Sequence, residues 1–354
     1  MTRPAAFTGL VGVDQPIVLG PFGGLSSVEL AATVSNGGGL GSYGLYGYDA
    51  DRIHDTGRSL RRLTVKPFAL NIWLPIAGKA EPTPSDDEFD RYVQPLSQYF
   101  AELGLPLPAR PERYLPDVDE QVAAVLEVRP AVLSVVFGVP DISLVDAAHE
   151  RGIVVVGTAT TVDEAVVLDE AGVDAIVASG TEAGGHRVSF LRPPEDSLVG
   201  LFSLVPQVAD AVSVPVVAAG GVADGRGIRA AFELGADAVQ VGTAFLATKE
   251  SGASAAHRAA LRSPEARSTV LTRALSGRLA RGIPNRVTRD VTDPAPFPVQ
   301  NWLTGRFRPT AADRGVGELL SLWAGQSAPM QREADAATLL AELIDGIDAS
   351  TRPV

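Results

Sequence analysis

At 354 residues, 45% apolar and 20% charged, the chain can bury a large core and exceeds the usual single-domain size. Its net charge of −12 argues against a nucleic-acid groove or a basic membrane patch, because both need clustered Lys and Arg. Cysteine is absent, which excludes disulfides, thiolate metal sites and cysteine nucleophiles.

Residues 1–14 lack the charged-then-apolar order of a secretory signal. No stretch approaches the roughly 20 apolar residues of a membrane span. A soluble, cytoplasmic protein acting on a small molecule is expected. Eight short apolar or β-branched runs follow, at 16–19, 39–42, 68–72, 132–136, 153–156, 175–178, 215–218 and 238–241. Each leads into a helix-length segment with apolar residues three to four apart, the alternation of parallel βα units. Ser26 and Ser27, Thr161 and Asp224 suit helix N-caps, and Gly172 and Gly235 suit left-handed helix ends. Eight such units predict an α/β protein with a (β/α)8 TIM barrel, since no G-x-G-x-x-G follows the first strand to favour a doubly wound sheet. Residues 76–116, rich in proline and charge, read as an insertion after the third strand. Residues 250–354 read as a helical, irregular accessory segment. Both are expected to pack over the mouth of a barrel spanning 1–249.

Taken along the chain, the loops after the strands carry the chemistry. In "LGPFGGLSS", Gly20, Pro21, Phe22 and Gly23 form a low-profile floor for a flat ligand. Tyr43, Tyr46 and Tyr48 are candidates for a pocket wall. Asn71 places an amide near the end of an otherwise apolar strand, where an unpartnered polar group would be costly. The loop "SGTEAGGHR" brings its backbone close through Gly184 and Gly185 and presents His186, a group suited to acid, base or anion-partner roles. Gly220 and Gly221 after the seventh strand, with Gly242 and Thr243 after the eighth, make the phosphate cup expected of such barrels. His54, His149 and His257 are expected on the surface, and no histidine pair has metal-ligand spacing, so no metal site is expected. A covalent purine-oxidising barrel would need a cysteine. A pyridoxal-phosphate barrel would need a lysine at a strand end, where none of Lys66, Lys79 and Lys249 falls. Flavin is what remains.

The motifs "ELAATVSNGGGLGSYG", "KPFALNIW", "VVVGTATTVDEA", "EAGGH", "VPVVAAGGVADG", "LGADAVQVGTAFLATKES", "VLTRALSGRLARG" and "LWAGQ" resemble the nitronate monooxygenase (2-nitropropane dioxygenase) group of FMN barrels. That group also includes flavin-dependent enoyl-acyl-carrier-protein reductases and quinone reductases. The resemblance implies FMN contacts at Asn71, Gly184, Gly220, Gly221 and the run Gln240, Val241, Gly242 and Thr243, with His186 as the active-site histidine. Thr158 and Ser179 stand at wall positions where some relatives carry lysine and glutamine, and "GPFGG" replaces the group's usual "APM" and glycine. The implied reaction oxidises an alkyl nitronate with O2 to a carbonyl compound and nitrite. The alternative is NAD(P)H-dependent reduction of an enoyl thioester or quinone, and a third reading is a flavin-binding barrel without catalysis. Ser276 in "LSGR" and Gln326 in "WAGQ" are candidates to reach the site from the C-terminal segment, and the group's members often form homodimers.

Overall fold

The computed structural model describes residues 3–332 and 334–348. Among these, eight parallel strands form a barrel: β1 (Ile17–Leu19), β2 (Gly41–Gly44), β3 (Phe68–Trp73), β4 (Val132–Val136), β5 (Val154–Ala159), β6 (Ala175–Ser179), β7 (Val216–Ala219) and β8 (Ala238–Val241). From β2 onward each strand pairs with the next, and β8 pairs with β1. The remaining seam is closed by a parallel bridge between Val18 and Leu40. The eight runs marked in the sequence fall on these strands, the largest offset being three residues at the end of β5 (156 against 159).

Alternation along each strand decides what faces inward. Val18, Ala69, Val132, Val156, Val177, Val217 and Ala238 fill the barrel, together with Phe7 from helix Arg3–Val11, which plugs the N-terminal end. Ile17, Leu70, Val155, Ile176, Val239 and Val241 point outward and pack in the layer shared with the helices. Two residues further toward the mouth, four inward rows turn polar, at Asn71, Ser134, Thr158 and Ser179, and Gln240 does the same for β8. An apolar plug therefore gives way to a polar upper layer. The expected caps form: Ser27 accepts from the Leu30 N–H, Thr161 from that of Glu164, and Asp224 from those of Arg226 and Gly227. Gly172 and Gly235 adopt φ of +84° and +106°.

Helix Ala336–Asp348 corrects the expected layout. Ala336, Leu340 and Leu343 lie in the barrel's own core. Gly346 meets Gly225 at the start of helix Gly225–Glu233, where a Cβ on Gly225 would lie 2.8 Å from the Gly346 carbonyl oxygen, and Leu340 abuts Gly37 at the end of helix Val28–Asn36. The helix thus stands between the first and seventh helices of the ring, in the eighth position. What reads in the sequence as a terminal lid is, up to residue 335, an insertion between β8 and its helix. Residues 1–2, 333 and 349–354 of the expected segments lie outside the described residues.

The insertion after β3 joins this lobe. Phe89, Leu96, Tyr99 and Phe100, from helices Asp86–Val93 and Ser97–Glu102 and the turn between them, share a second core with Val287, Leu303, Phe307 and Leu319. The lobe also holds a small antiparallel sheet in which Ala280–Gly282 pairs with Val270–Thr272 on one side and Gly185–His186 on the other. The sequence reading left this region helical and irregular, because strands of two or three residues are too short to display a period of two. Among the described residues no helix is long and apolar enough to cross a membrane. None of their His, Asp and Glu side chains group in threes to hold a metal.

Candidate active site

The barrel mouth opens into a cavity of about 580 Å³, within the usual range for a ligand pocket. Gly20, Pro21, Phe22, Gly23, Asn71, Thr158, Ser179, Gly184, Gly185, His186, Gly220, Gly221, Gln240, Gly242 and Thr243 all line it. Val241 does not. It follows Gln240, so alternation turns it outward into the fully buried helix layer, and only its carbonyl, accepting from the Gly20 N–H at 2.9 Å, bears on the mouth.

The upper wall is polar and incompletely paired. Asn71 Nδ2 donates to Ser134 Oγ at 2.9 Å and to the Ser134 carbonyl at 3.2 Å, while the Asn71 amide oxygen has no partner among the described residues. Ser134 is the register partner of Asn71 and escaped the sequence reading, although its place in the alternation of β4 marks it as inward-facing. Thr158 and Ser179 are each 8% exposed, and neither hydroxyl bonds to a described residue, nor does the Gln240 amide. Polar groups in such a wall find a partner, and the cavity that these line is where a ligand can supply one.

The glycines keep that cavity clear. Gly220 and Gly221 have φ of +115° and +72°, conformations that suit glycine, and a Cβ on Gly220 would lie 3.0 Å from the Ala183 nitrogen. The loop carrying Gly184 and His186 is pinned from below by Arg187. Its side chain is buried and donates to the carbonyls of Gly180 (2.6 Å), Ser179 (3.0 Å) and Ser197 (3.3 Å). Glu182 accepts from the Leu201 N–H, capping helix Leu201–Ala211, while its carbonyl accepts from the Gln326 N–H at 2.9 Å. Thr243 Oγ1 accepts from the Gly325 N–H at 2.9 Å. Gln326 thus contributes its backbone to a strap across the loop; Gly325 and Ser327, not Gln326, reach the cavity.

His186 stands within an aromatic enclosure, with ring centroids of Trp73, Trp323 and Phe137 at 5.0, 5.4 and 6.3 Å. Its Nε2 meets Ser276 Oγ at 2.9 Å. The ring is half-buried and lines the cavity. Burial, reinforced by the Arg278 and Arg308 guanidiniums, pushes the imidazole down to about 3. The sequence reading expected a histidine poised near neutrality; the enclosure holds the ring neutral instead and disfavours its protonation as long as no anion stands beside it.

Of the tyrosine cluster only Tyr46 lines the cavity. Its hydroxyl accepts from Asn301 Nδ2 at 2.9 Å, and burial pushes it up to about 12. Tyr43 and Tyr48 bond to each other at 3.0 Å beneath it. Arg308 was missed in the sequence, although Asn301, Gly305 and Arg308 recur at helical spacing along helix Val299–Asp313 and all line the cavity. It donates to Ser321 Oγ at 2.6 Å and to Asn301, has no carboxylate partner among the described residues, and is lowered by burial to about 10. His54 and His149 sit outside the site, paired with Glu127 and Asp174. His257 is not on the surface as expected. It is 2% exposed, and its Nε2 lies 3.1 Å from the Trp323 carbonyl, because the lobe folds over its helix.

Comparison with known proteins adds an independent observation. The family model described as nitronate monooxygenase matches residues 5–346. A nitronate monooxygenase of Pseudomonas aeruginosa is 44% identical over 347 residues, covering 96% of this chain and 98% of that protein. The structure of a nitroalkane oxidase from Streptomyces ansochromogenes superposes with a TM-score of 0.86 at 38% identity, over 97% of both chains. FabK from Thermotoga maritima is more distant, with a TM-score of 0.74 and 28% identity over 98% of this chain and 96% of that one.

Proposed function

The chain belongs to the nitronate monooxygenase family, and from that premise we propose that it holds FMN at the barrel mouth and uses His186 as the proton acceptor beside it. The family's reaction oxidises an alkyl nitronate with O2 to a carbonyl compound and nitrite. The greater likeness to a nitronate monooxygenase and a nitroalkane oxidase than to FabK favours this chemistry over the reductase alternative.

One observation carries the cofactor assignment. The Thr158, Ser179 and Gln240 side chains and the Asn71 amide oxygen, without protein partners among the described residues, face one cavity together with Gly184, Gly185, Gly220 and Gly221, where a side chain would clash or strain the backbone. Such a wall fits a flat, hydrogen-bonding ring, and the turns at Gly220–Gly221 and Gly242–Thr243 fit its phosphate. Bound there, the flavin supplies the electron acceptor that passes electrons to O2. The protein's part is to hold the substrate against it, exclude water with the Trp73, Phe137 and Trp323 rings, and manage one proton. The unprotonated His186 ring at the cavity can take the α-proton of a nitroalkane, the protonated form of the nitronate, because the nitronate anion formed beside it offsets the burial that otherwise disfavours the imidazolium. Arg278 and Arg308 supply positive potential for the resulting anion. Nothing in the acidic surface favours nucleic acid or membrane, and we place the enzyme in the cytoplasm.

The test is to identify by chromatography the flavin released from one portion of the purified yellow protein, and to run a pair of assays on the rest. Nitrite release matched by O2 uptake with ethyl nitronate, and no oxidation of NADH or NADPH, is the expected result. Nicotinamide oxidation without nitrite would move the protein to the reductase branch.

A further inference from the structure

Ser276 Oγ sits at the meeting point of three groups. It lies 2.9 Å from His186 Nε2, 3.0 Å from the Arg278 carbonyl oxygen and 3.3 Å from the Arg278 nitrogen. A hydroxyl has one proton, and a carbonyl can only accept. The Arg278 carbonyl has no other donor among the described residues, and Ser276 is fully buried. If the hydroxyl proton went to His186, that carbonyl would be left bare in a dry site; if it goes to the carbonyl, all three contacts are made. Nε2 must then be the donor to Ser276. The ring's other nitrogen, Nδ1, has no partner among the described residues and belongs to a ring that lines the cavity.

We propose that Ser276 fixes the tautomer of His186, with the proton on Nε2 and the free lone pair on Nδ1, and so selects which nitrogen acts as the base. The turn that carries the hydroxyl is held rigidly. Gly277 has φ of +80° and packs so closely on Ala295 that a Cβ would lie 2.6 Å from its carbonyl oxygen. The Arg278 guanidinium is clamped between the rings of Phe297 (3.9 Å) and Phe137 (4.1 Å). Resting on the reading of His186 as proton acceptor, the step runs as follows. The α C–H bond of the nitroalkane breaks and its electron pair delocalises into the nitro group. The proton bonds to Nδ1, and the imidazolium keeps its Nε2–H on Ser276. Ser276 is a positioning residue here; it touches neither substrate nor flavin.

The tautomer can be read directly from ring nitrogen shifts in protein labelled with ¹⁵N histidine, with the His186 signals identified by their loss in His186→Asn. The wild type is expected to show protonated Nε2 and bare Nδ1 across pH 5 to 9. Ser276→Ala is expected to show mixed tautomers and a kcat for nitroethane lowered on the order of tenfold or more, with KM little changed, because a misdirected tautomer idles the base. Ser276→Cys, which keeps the bulk but accepts weakly, serves as a second variant if alanine unsettles the fold. A wild-type His186 protonated at Nδ1, or a Ser276→Ala protein with an unchanged tautomer and wild-type kcat, would overturn the proposal. Should His186→Asn retain full turnover while Ser276→Ala scrambles the tautomer, the tautomer assignment stands and the reading of His186 as the base fails.

Discussion

Gly184 and Gly325 lie back to back: a Cβ on Gly184 would fall 2.5 Å from the Gly325 nitrogen, and one on Gly325 would fall 3.1 Å from the Gly184 nitrogen. The His186 loop and the strap over it are therefore seated on bare backbone. Gly184→Ala should lift the strap, cost about 1–3 kcal/mol as overpacking does, and lower flavin content. Denaturant unfolding and the ratio of flavin to protein absorbance measure both. A variant matching the wild type in each would show that the strap yields without cost.

Gly220 supports the proposed phosphate turn with φ of +115° and no room toward Ala183. Gly220→Val should purify mostly without flavin while keeping its circular dichroism spectrum. Full occupancy in that variant would remove the turn from the phosphate site.

His186→Asn should retain the flavin, since Asn71, Thr158, Ser179, Gln240 and the glycine turns that are proposed to hold it stay in place. Turnover of neutral nitroethane should fall by about 10²- to 10⁴-fold, the range for a positioned acid–base group. Ethyl nitronate, already deprotonated, should lose much less. Equal losses on both substrates would assign His186 to binding instead of proton transfer.

Acid should destabilise the fold through its buried imidazoles. Burial pushes His257 down to about 4 from an ordinary 6.5. Between those values the unfolded chain binds a proton that the folded one does not. Its contribution is complete above about pH 6.5 and is lost as pH falls toward 4, at a slope of up to about 1.4 kcal/mol per pH unit. His186 acts with the same sign. His257→Gln should flatten the pH dependence of urea unfolding over this window, and an unchanged slope would show that His257 titrates normally.

Arg187 joins three carbonyls beneath the site. Arg187→Met takes the guanidinium from all three, leaving Gly180 with the Ala183 N–H alone, and should destabilise by about 3 kcal/mol. Thermal unfolding of the flavin-free protein would register the loss, and a shift within error would mean that water replaces the guanidinium.

Much of the site was legible because period-two alternation fixes direction as well as strand. Asn71, Thr158, Ser179 and Gln240 stand at inward positions of apolar strands, and the same rule, applied strictly, turns the Val241 side chain outward and marks Ser134 as the inward partner of Asn71. Glycine with a positive φ was readable where it ended a helix, at Gly172 and Gly235. What stayed hidden depends on segments far apart in sequence. The His186 to Ser276 bond spans 90 residues, the Thr243 to Gly325 bond spans 82, and neither leaves a periodic trace. His257 looked like a surface residue because its helix is short and its cover comes from Trp323. The eighth helix could not be recognised as such because the chain reaches it only after folding a second core.

That late helix also orders the protein's birth. The ribosome releases β8, ending at Val241, 95 positions before helix Ala336–Asp348 begins (336 − 241). All eight strands are thus available long before the surface formed by Leu340, Leu343 and their partners on the ring can be covered. Synthesis proceeds at roughly 5–20 residues per second, so the nascent barrel spends several seconds with an open, greasy flank. In that interval the inserted lobe must organise itself beside a ring that still lacks its last helix.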